Sequence, residues 1–192
     1  SPFILLDYHA PHYYEPSSIR RGVGAHPHRG FETVTISYEG SVEHHDNKGN
    51  HGIIGPGDVQ WMTAASGILH KEYHEKEFSE SGGILHMIQL WVNLPKSEKM
   101  SEPKYQTLLK ENMGAFKLDN NQGKVSIIAG EFNGIKGPAS TFTNINIYNI
   151  NLKNYGKTIL KEPGNFNTGI LVLKGEVKIK DRKSTRLNSS HH

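Results

Sequence analysis

Short runs of alternating apolar and polar residues along the chain predict β-strands. The alternation is clearest over residues 84–93, where successive side chains of an extended chain would point to opposite faces of a sheet. One face would carry His86, Ile88, Leu90 and Val92, and the other Met87, Gln89 and Trp91. Similar runs predict strands at residues 3–6, 30–38, 42–45, 52–54, 59–63, 125–129 and 144–152. Many short strands in close succession predict an all-β fold, either a sandwich or a barrel.

Turn residues separate these predicted strands. Glu39-Gly40-Ser41 follows one strand, and Gly55-Pro56-Gly57-Asp58 follows another. Proline followed by glycine suits the central positions of a type II turn, because glycine accepts the positive φ that is required there. The 20 glycines and 9 prolines agree with a turn-rich β protein. The only helix candidate is a stretch from about Ser97 to Asn112.

A modest internal repeat divides the chain. At an offset of 135 residues, the residues Phe31, Thr33, Gly40 and Val42 align with Phe166, Thr168, Gly175 and Val177. We interpret the repeat as two copies of one β-barrel module, with a strand–turn–strand unit in residues 165–179. The predicted parts are an N-terminal module at 1–95, a linker with a short helix at 96–115 and a partial second module at 116–180. Lys161 and Pro163 occupy the positions of His26 and His28, so the second copy lacks these histidines.

The end of the chain departs from this pattern. Residues 181–192 read DRKSTRLNSSHH, which resembles the conceptual translation of a sequencing adapter, and we expect a non-native tail. The second module would then stop at Lys180, before its later strands. Unpaired strand edges favour association, so we expect this chain to aggregate or to depend on a partner.

Composition and charge exclude several classes of protein. The chain has no cysteine, which excludes a disulfide scaffold, thiolate zinc sites and a cysteine nucleophile. No apolar run approaches the roughly 18 residues that span a bilayer, and no signal-like leader opens the chain. We therefore expect a cytoplasmic protein that does not bind membranes. The formal net charge of +3 falls to +1 without the tail, so charge gives no support to nucleic-acid binding.

Two short histidine motifs carry the candidate chemistry. His26 and His28 are two residues apart, so in an extended segment both side chains leave the same face, about 6.7 Å apart along the strand. His70 and Glu72 repeat that spacing in another segment. Three imidazoles and one carboxylate suit Fe(II), Mn, Ni, Cu or Zn and leave coordination positions free for water, O2 or a chelating substrate.

The other acidic and histidine candidates are weaker. Glu32 is an alternative carboxylate ligand, because it follows His28 by four residues. His44 and His45 are adjacent and would face opposite sides of a strand, so they cannot both line one site. We expect His51, in a turn, and His74, among charged residues, to lie on the solvated surface. His86 shares a face with apolar residues, which predicts a packed histidine or one that supports a ligand.

The first half of the chain resembles the pirin family of the cupin superfamily. The resemblance lies in HPHRGFETVTISYEGSVEHHDNKGNHGIIGPGDVQWMTAASGILHKE and extends through WVNLPKSEKMSEPKYQ. It implies a bicupin, two stacked β-barrel modules of which the N-terminal one holds a metal. The pirin motif places the ligands at His26, His28, His70 and Glu72, whereas the ancestral cupin pattern would favour Glu32. The metal would be Fe(II), with Mn, Ni, Cu or Zn as alternatives.

The resemblance implies two classes of function. Several pirin-like proteins are quercetin 2,3-dioxygenases, which open a flavonol ring with O2 and release carbon monoxide. In that case Glu72 would be the catalytic base for the flavonol 3-hydroxyl proton, provided that it can leave the metal. Other pirins are non-enzymatic, metal-dependent binding proteins, including partners of transcription regulators. We expect a monomer when the protein is full length.

Overall fold

The computed structural model describes residues 2–180, and the predicted tail at 181–192 lies outside them. The described residues divide into two units, residues 2–160 and residues 161–180. In chain order, the strands are β1 (Phe3–Tyr14), β2 (Gly22–His28), β3 (Phe31–Glu39), β4 (Val42–Asp46), β5 (His51–Ile54), β6 (Val59–Thr63), β7 (Ile68–His74), β8 (Gly83–Asn93), β9 (Lys104–Leu108), β10 (Gly114–Lys117), β11 (Gly123–Ala129), β12 (Glu131–Phe132), β13 (Ile135–Lys136) and β14 (Ile147–Leu152). The α-helix is α1 (Lys76–Ser81), and the 3₁₀ turns are Lys96–Glu98, Lys110–Asn112 and Asp119–Asn121. The predicted all-β fold is confirmed.

Two antiparallel sheets form the first part of the larger unit. One sheet has five strands in the order β1-β8-β3-β6-β9, and the other has four in the order β2-β7-β4-β5. The predicted turn after β5 is present, because Gly57 has a φ of 94° and the Asp58 amide donates to the Gly55 carbonyl. Of the described residues, no helix has both the length and the apolar character needed to cross a bilayer.

The alternation of β3 separates the two faces of the five-stranded sheet. Val34 and Ile36 belong to a buried apolar core with Trp61 on β6 and Val92 on β8. The intervening Thr35 points to the opposite face, where its hydroxyl oxygen accepts a hydrogen bond from the Gln89 amide. The sheet therefore has one apolar face and one polar face.

A second set of strands covers the apolar face. Strands β10, β11 and β14 form a three-stranded antiparallel sheet, and β12 pairs with β13. Ile128 and Ala129 of β11 and Ile147 of β14 lie in the same core as Val34 and Trp61. Burial of this apolar surface holds the two sets of strands together.

The helix prediction is wrong at two places. The stretch from Ser97 to Asn112 contains β9, which pairs with β6 and completes the five-stranded sheet, with only 3₁₀ turns on either side. Pro103 lies in the middle of this stretch, and it disfavours a continuous helix. The α-helix is instead α1, whose first amides are capped by the Glu75 carboxylate. Its six residues are too few to show a helical period in the sequence.

Residues 161–180 also differ from the strand–turn–strand expectation. The described part of the second unit contains no strand, although Gly175 has a φ of 81° that matches the φ of 77° at Gly40. Its apolar side chains Ile170 and Val177 are 54% and 48% exposed. A strand exists only where a neighbour accepts and donates its backbone hydrogen bonds, and alternation in the sequence does not supply that neighbour. The division into modules at 1–95 and 116–180 stays a prediction.

Candidate metal centre

Strands β2 and β7 bring the two histidine motifs together. The strands are antiparallel neighbours in which His26 lies opposite His70. The His26 Nε2 atom is 3.1 Å from His28 Nε2 and 3.0 Å from His70 Nε2. The ligand atoms of all three residues lie within 4.8 Å of one another. Three imidazoles therefore converge on one point.

The spacing of these nitrogens suits a metal ion. Two nitrogens that bind one ion at about 2.1 Å in adjacent octahedral positions are about 3.0 Å apart. The two measured Nε2 separations match that value. His26 is half-buried, whereas His28 and His70 are 9% and 1% exposed. Both of these nitrogen pairs are thus spaced as ligands of one ion would be, and octahedral coordination would leave further positions for other ligands.

Two of the histidines, His28 and His70, are in the protonation state that a metal needs. Burial, with the charge of His26 as the second cause, lowers the pKa of His28 to about 4. Burial and the neighbouring histidines lower the pKa of His70 to about 3. Both imidazoles are therefore neutral near pH 7. His26 Nδ1 lies 2.8 Å from the Gly24 carbonyl oxygen, and by donating to it leaves the Nε2 lone pair free.

A buried histidine supports His70 from behind. His44 Nδ1 is 3.2 Å from His70 Nδ1, and His44 Nε2 is 3.2 Å from a carboxylate oxygen of Asp46. The consistent assignment has His70 Nδ1–H donating to His44, and His44 Nε2–H donating to Asp46. That assignment directs the lone pair of His70 Nε2 toward His26 and His28. The His44 ring also stacks on Tyr105 at a centroid distance of 4.6 Å.

Glu72 is held by two amides beside this group. Its carboxylate oxygens accept hydrogen bonds from Gln60 Nε2 at 2.6 Å and from Gln89 Nε2 at 3.1 Å. The carboxylate lies within 4.8 Å of ligand atoms of His70 and His44. Glu72 of the four-stranded sheet thus lies beside His70, and two amide side chains of the five-stranded sheet fix its orientation.

Aromatic side chains line the side of His28. The Phe31 and Trp91 rings stack with centroids 4.6 Å apart, and the His28 ring meets them edge-on at 5.1 and 5.5 Å. The Trp91 indole N–H donates to Gln89, the residue that also holds Glu72. The apolar rings of Phe31 and Trp91 and the polar groups of Gln89 and Glu72 therefore both lie next to the group of three imidazoles.

The alternative carboxylate, Glu32, points away from this group. It shares the parity of Val34 on β3 and so belongs to the apolar face of the sheet. It is 1% exposed and accepts a 2.6 Å hydrogen bond from the Thr63 hydroxyl. The register of β3 thus separates Glu32 from the histidines.

Burial of Glu32 predicts a pH-dependent cost in stability. Burial raises the pKa of Glu32 above its ordinary 4.5, and the hydrogen bond from Thr63 offsets this only in part. The folded chain therefore holds this proton more tightly than the unfolded chain. The proton bound to Glu32 therefore stabilises the folded state fully below pH 4.5. This contribution is lost as the pH rises through the pKa of Glu32 in the folded chain.

We expect the Glu32→Gln variant to remove that loss. Glutamine keeps the shape and the acceptor for Thr63 but carries no charge, so the variant should gain stability over the wild type as the pH rises from 4.5 to 8. The gain is about 1.4 kcal/mol for each unit by which the pKa is raised. Urea unfolding of both metal-free chains across this range measures it. A constant difference would show that the carboxylate is not destabilised.

The remaining histidines divide between the interior and the surface. His44 and His45 face opposite sides of β4, as predicted, because His44 is 0% exposed while the His45 side chain is 39% exposed. His51 is exposed as expected, although it lies in β5 rather than in a turn. His86 is packed as predicted, 5.0 Å from the Tyr38 ring.

The surface prediction for His74 is wrong. It is 5% exposed and packs edge-on against Tyr14 and Phe78. His74 has the parity of His70 and Glu72 on β7, so it points to the interior despite its charged neighbours in the sequence.

Comparison with known proteins identifies relatives of this chain. The family model described as Pirin matches residues 1–92. Pirin-1 of Arabidopsis thaliana is 37% identical over 175 residues, which cover 91% of this chain and 58% of that protein. The chain belongs to the pirin family. A Pseudomonas aeruginosa pirin relative with the provisional name quercetin 2,3-dioxygenase is 51% identical over 181 residues, covering 94% of this chain and 63% of that protein.

A solved structure agrees with this family. The crystal structure of quercetin 2,3-dioxygenase from Acinetobacter baumannii matches this pirin with a TM-score of 0.75 and 51% identity, covering 77% of this chain and 51% of that one. The predicted cupin fold is therefore confirmed. The chain spans about three fifths of the length of the two curated relatives.

Sequence reasoning missed three polar residues around the centre of this pirin. His44 has the parity of the buried Val42, which is a signal for an inward side chain. Gln60 and Gln89 are amides inside the apolar runs VQWMT and IQLWV. A buried amide needs a partner, and both amides find one in Glu72.

Proposed function

We propose that this pirin is a metal-dependent oxidoreductase of the quercetin 2,3-dioxygenase type. The proposal rests mainly on one observation, the convergence of three imidazoles with a carboxylate beside His70 that two amides hold in place. We propose His26, His28, His70 and Glu72 as the metal ligands and Fe(II) as the metal. The names of the Pseudomonas and Acinetobacter relatives support the same reaction class.

The side chains define what the centre would do with a substrate. A bound divalent metal would supply open coordination positions and would lower the pKa of a hydroxyl group that reaches it. The stacked Phe31 and Trp91 rings offer a flat apolar surface next to His28. Aromatic rings pack favourably against such a surface, which supports a flavonol as the substrate. The dioxygenase names of the Pseudomonas and Acinetobacter relatives support O2 as the co-substrate.

Glu72 is the proposed proton acceptor. The 3-hydroxyl of a flavonol must lose its proton before the electron-rich ring reacts with O2. The Gln60 and Gln89 amides fix the carboxylate beside His70, where it could take this proton provided that it can leave the metal.

Oxygen-dependent loss of quercetin tests the proposal. The chain would be loaded anaerobically with Fe(II), and quercetin absorbance and dissolved O2 would be followed together after mixing with oxygenated buffer. We expect one O2 to be consumed for each quercetin and no reaction by the metal-free chain. A chain that holds stoichiometric iron and turns over no quercetin would favour a non-enzymatic, metal-dependent binding protein.

The support that His44 gives to His70 should be measurable as metal affinity. Removing an outer partner of a metal-bound histidine typically weakens binding by about 10–100-fold. We expect that loss for the His44→Ala variant, measured by competition with a chromophoric chelator. Lys48→Ala, in the exposed turn of the same hairpin, is the matched control and should bind as the wild type does. Unchanged affinity in His44→Ala would exclude the supporting role.

A further inference from the structure

The outer face of the four-stranded sheet carries a second group of metal-type ligands. Glu43, His45 and His51 have ligand atoms within 4.8 Å of one another. One carboxylate oxygen of Glu43 lies 2.9 Å from His45 Nε2 and 2.9 Å from His51 Nε2. We call these three residues the outer cluster.

The hairpin of β4 and β5 builds the outer cluster. His45 and His51 are directly opposite one another across this antiparallel pair, and their rings lie 4.3 Å apart with an interplanar angle of 30°. Glu43 is two residues before His45 on the same strand and therefore shares its face. The three side chains are thus brought together by strand register and do not depend on a mobile loop.

The turn of the hairpin is itself rigidly bonded. The Asp46 carboxylate accepts hydrogen bonds from the backbone amides of Lys48 and Asn50 and from the Asn50 side chain. These bonds fix the register that pairs His45 with His51. The cost of ordering the histidines is therefore largely met by folding rather than by binding a ligand.

We propose that the outer cluster is a second metal site, separate from the centre at His26, His28 and His70. The ligands would be Nε2 of His45, Nε2 of His51 and one oxygen of Glu43. Two imidazoles and one carboxylate suit a borderline divalent cation such as Zn²⁺. The His45 and His51 side chains are 39% and 49% exposed, so water can complete the coordination.

Neighbouring charges set the strength of this site. The Arg20 guanidinium forms an ion pair with the other carboxylate oxygen of Glu43, and Lys71 lies opposite His45 on β7. Both cations oppose a further positive charge and leave Glu43 with one oxygen for the metal. We therefore expect the outer cluster to bind Zn²⁺ more weakly than the inner centre does.

The two sites lie on opposite sides of one sheet. His44 and His45 are consecutive, and His44 contacts His70 in the interior while His45 contacts Glu43 outside. A substitution at His51 therefore leaves the inner ligands in place. The outer cluster can be tested whatever the outcome of the proposed reaction.

Calorimetric titration with Zn²⁺ tests the second site. The full chain would carry His191→Ala and His192→Ala, because the adjacent terminal histidines could bind zinc on their own. We expect two ions per chain in this background, one in His51→Ala, one in His26→Ala, and none in the double variant. His12→Ala is the matched histidine control and should still bind two.

A site-resolved measurement separates ligation from a general loss of affinity. Zinc added to the His26→Ala chain should shift the imidazole ¹⁵N resonances of His45 and His51 and leave that of His86 unchanged. Binding of one ion by the parent chain, or two ions by His51→Ala, would overturn the proposal. Shifts at other histidines without a shift at His45 or His51 would also overturn it.

Discussion

The His70→Ala variant is expected to lose both retained iron and quercetin turnover. His70 lies opposite His26, is 1% exposed and is the residue that connects the inner histidines to His44 and Asp46. Alanine removes one of three converging nitrogens and also the partner of His44. Iron retained after gel filtration should fall to background, and turnover should fall to the rate of the metal-free chain.

Controls distinguish the loss of a ligand from misfolding. Lys71→Ala changes the next residue on β7, which points outward, and should keep full iron content and turnover. His26→Ala changes a half-buried proposed ligand on the edge strand β2 and should reproduce the loss with less disturbance of the core. If His70→Ala or a folded His26→Ala keeps iron and turnover, the inner centre is not the metal site.

Thermal stability provides a readout that is independent of turnover. A ligand present at 100 times its dissociation constant stabilises the folded state by about 2.7 kcal/mol. The comparison is made in chains that carry His51→Ala, which removes the outer cluster. Fe(II) should raise the melting temperature of the chain in which His51→Ala is the only substitution. Fe(II) should leave the melting temperature of the double variant His51→Ala/His70→Ala unchanged, since neither proposed site remains for the ion.

Strand parity accounts for what the sequence could predict of the site. The spacing of two residues correctly puts His26 and His28 on one face, and likewise His70 and Glu72. The spatial pairing of His26 with His70 could not be derived in this way, because it depends on a register between strands that are 44 residues apart. Such pairings are set by the whole fold rather than by local pattern.

The errors arise where the pattern of neighbouring residues in the sequence conflicts with the position that the fold gives the segment. Charged neighbours favour a surface position for His74, but the parity of β7 places it inside. Residues 165–179 have the sequence pattern of a strand–turn–strand unit, but the structure gives them no strand pairing. If the alternation of side chains had been followed along the whole of each strand rather than only within a motif, it would have predicted that His44 and His74 are buried.

The Glu72→Gln variant should separate proton transfer from metal binding. Glutamine preserves the size of the side chain but cannot accept a proton at neutral pH. Loss of a general base typically lowers the rate by about 10²–10⁴-fold. We expect that decrease in quercetin turnover, measured at saturating Fe(II), with iron retained through His26, His28 and His70 at reduced affinity.

The amides around Glu72 require a control of their own. Both carboxylate oxygens accept from amide groups, so Glu72→Gln also directs an NH₂ group at Gln60 or Gln89. Exchanging the two residues, as Gln60→Glu with Glu72→Gln, restores an acceptor for that NH₂ group, while the oxygen that accepts from the Tyr105 hydroxyl is kept. If the carboxylate acts as the base at position 72, the exchanged chain should recover stability without recovering turnover. Full turnover and full iron content in Glu72→Gln would show that this carboxylate is neither base nor ligand.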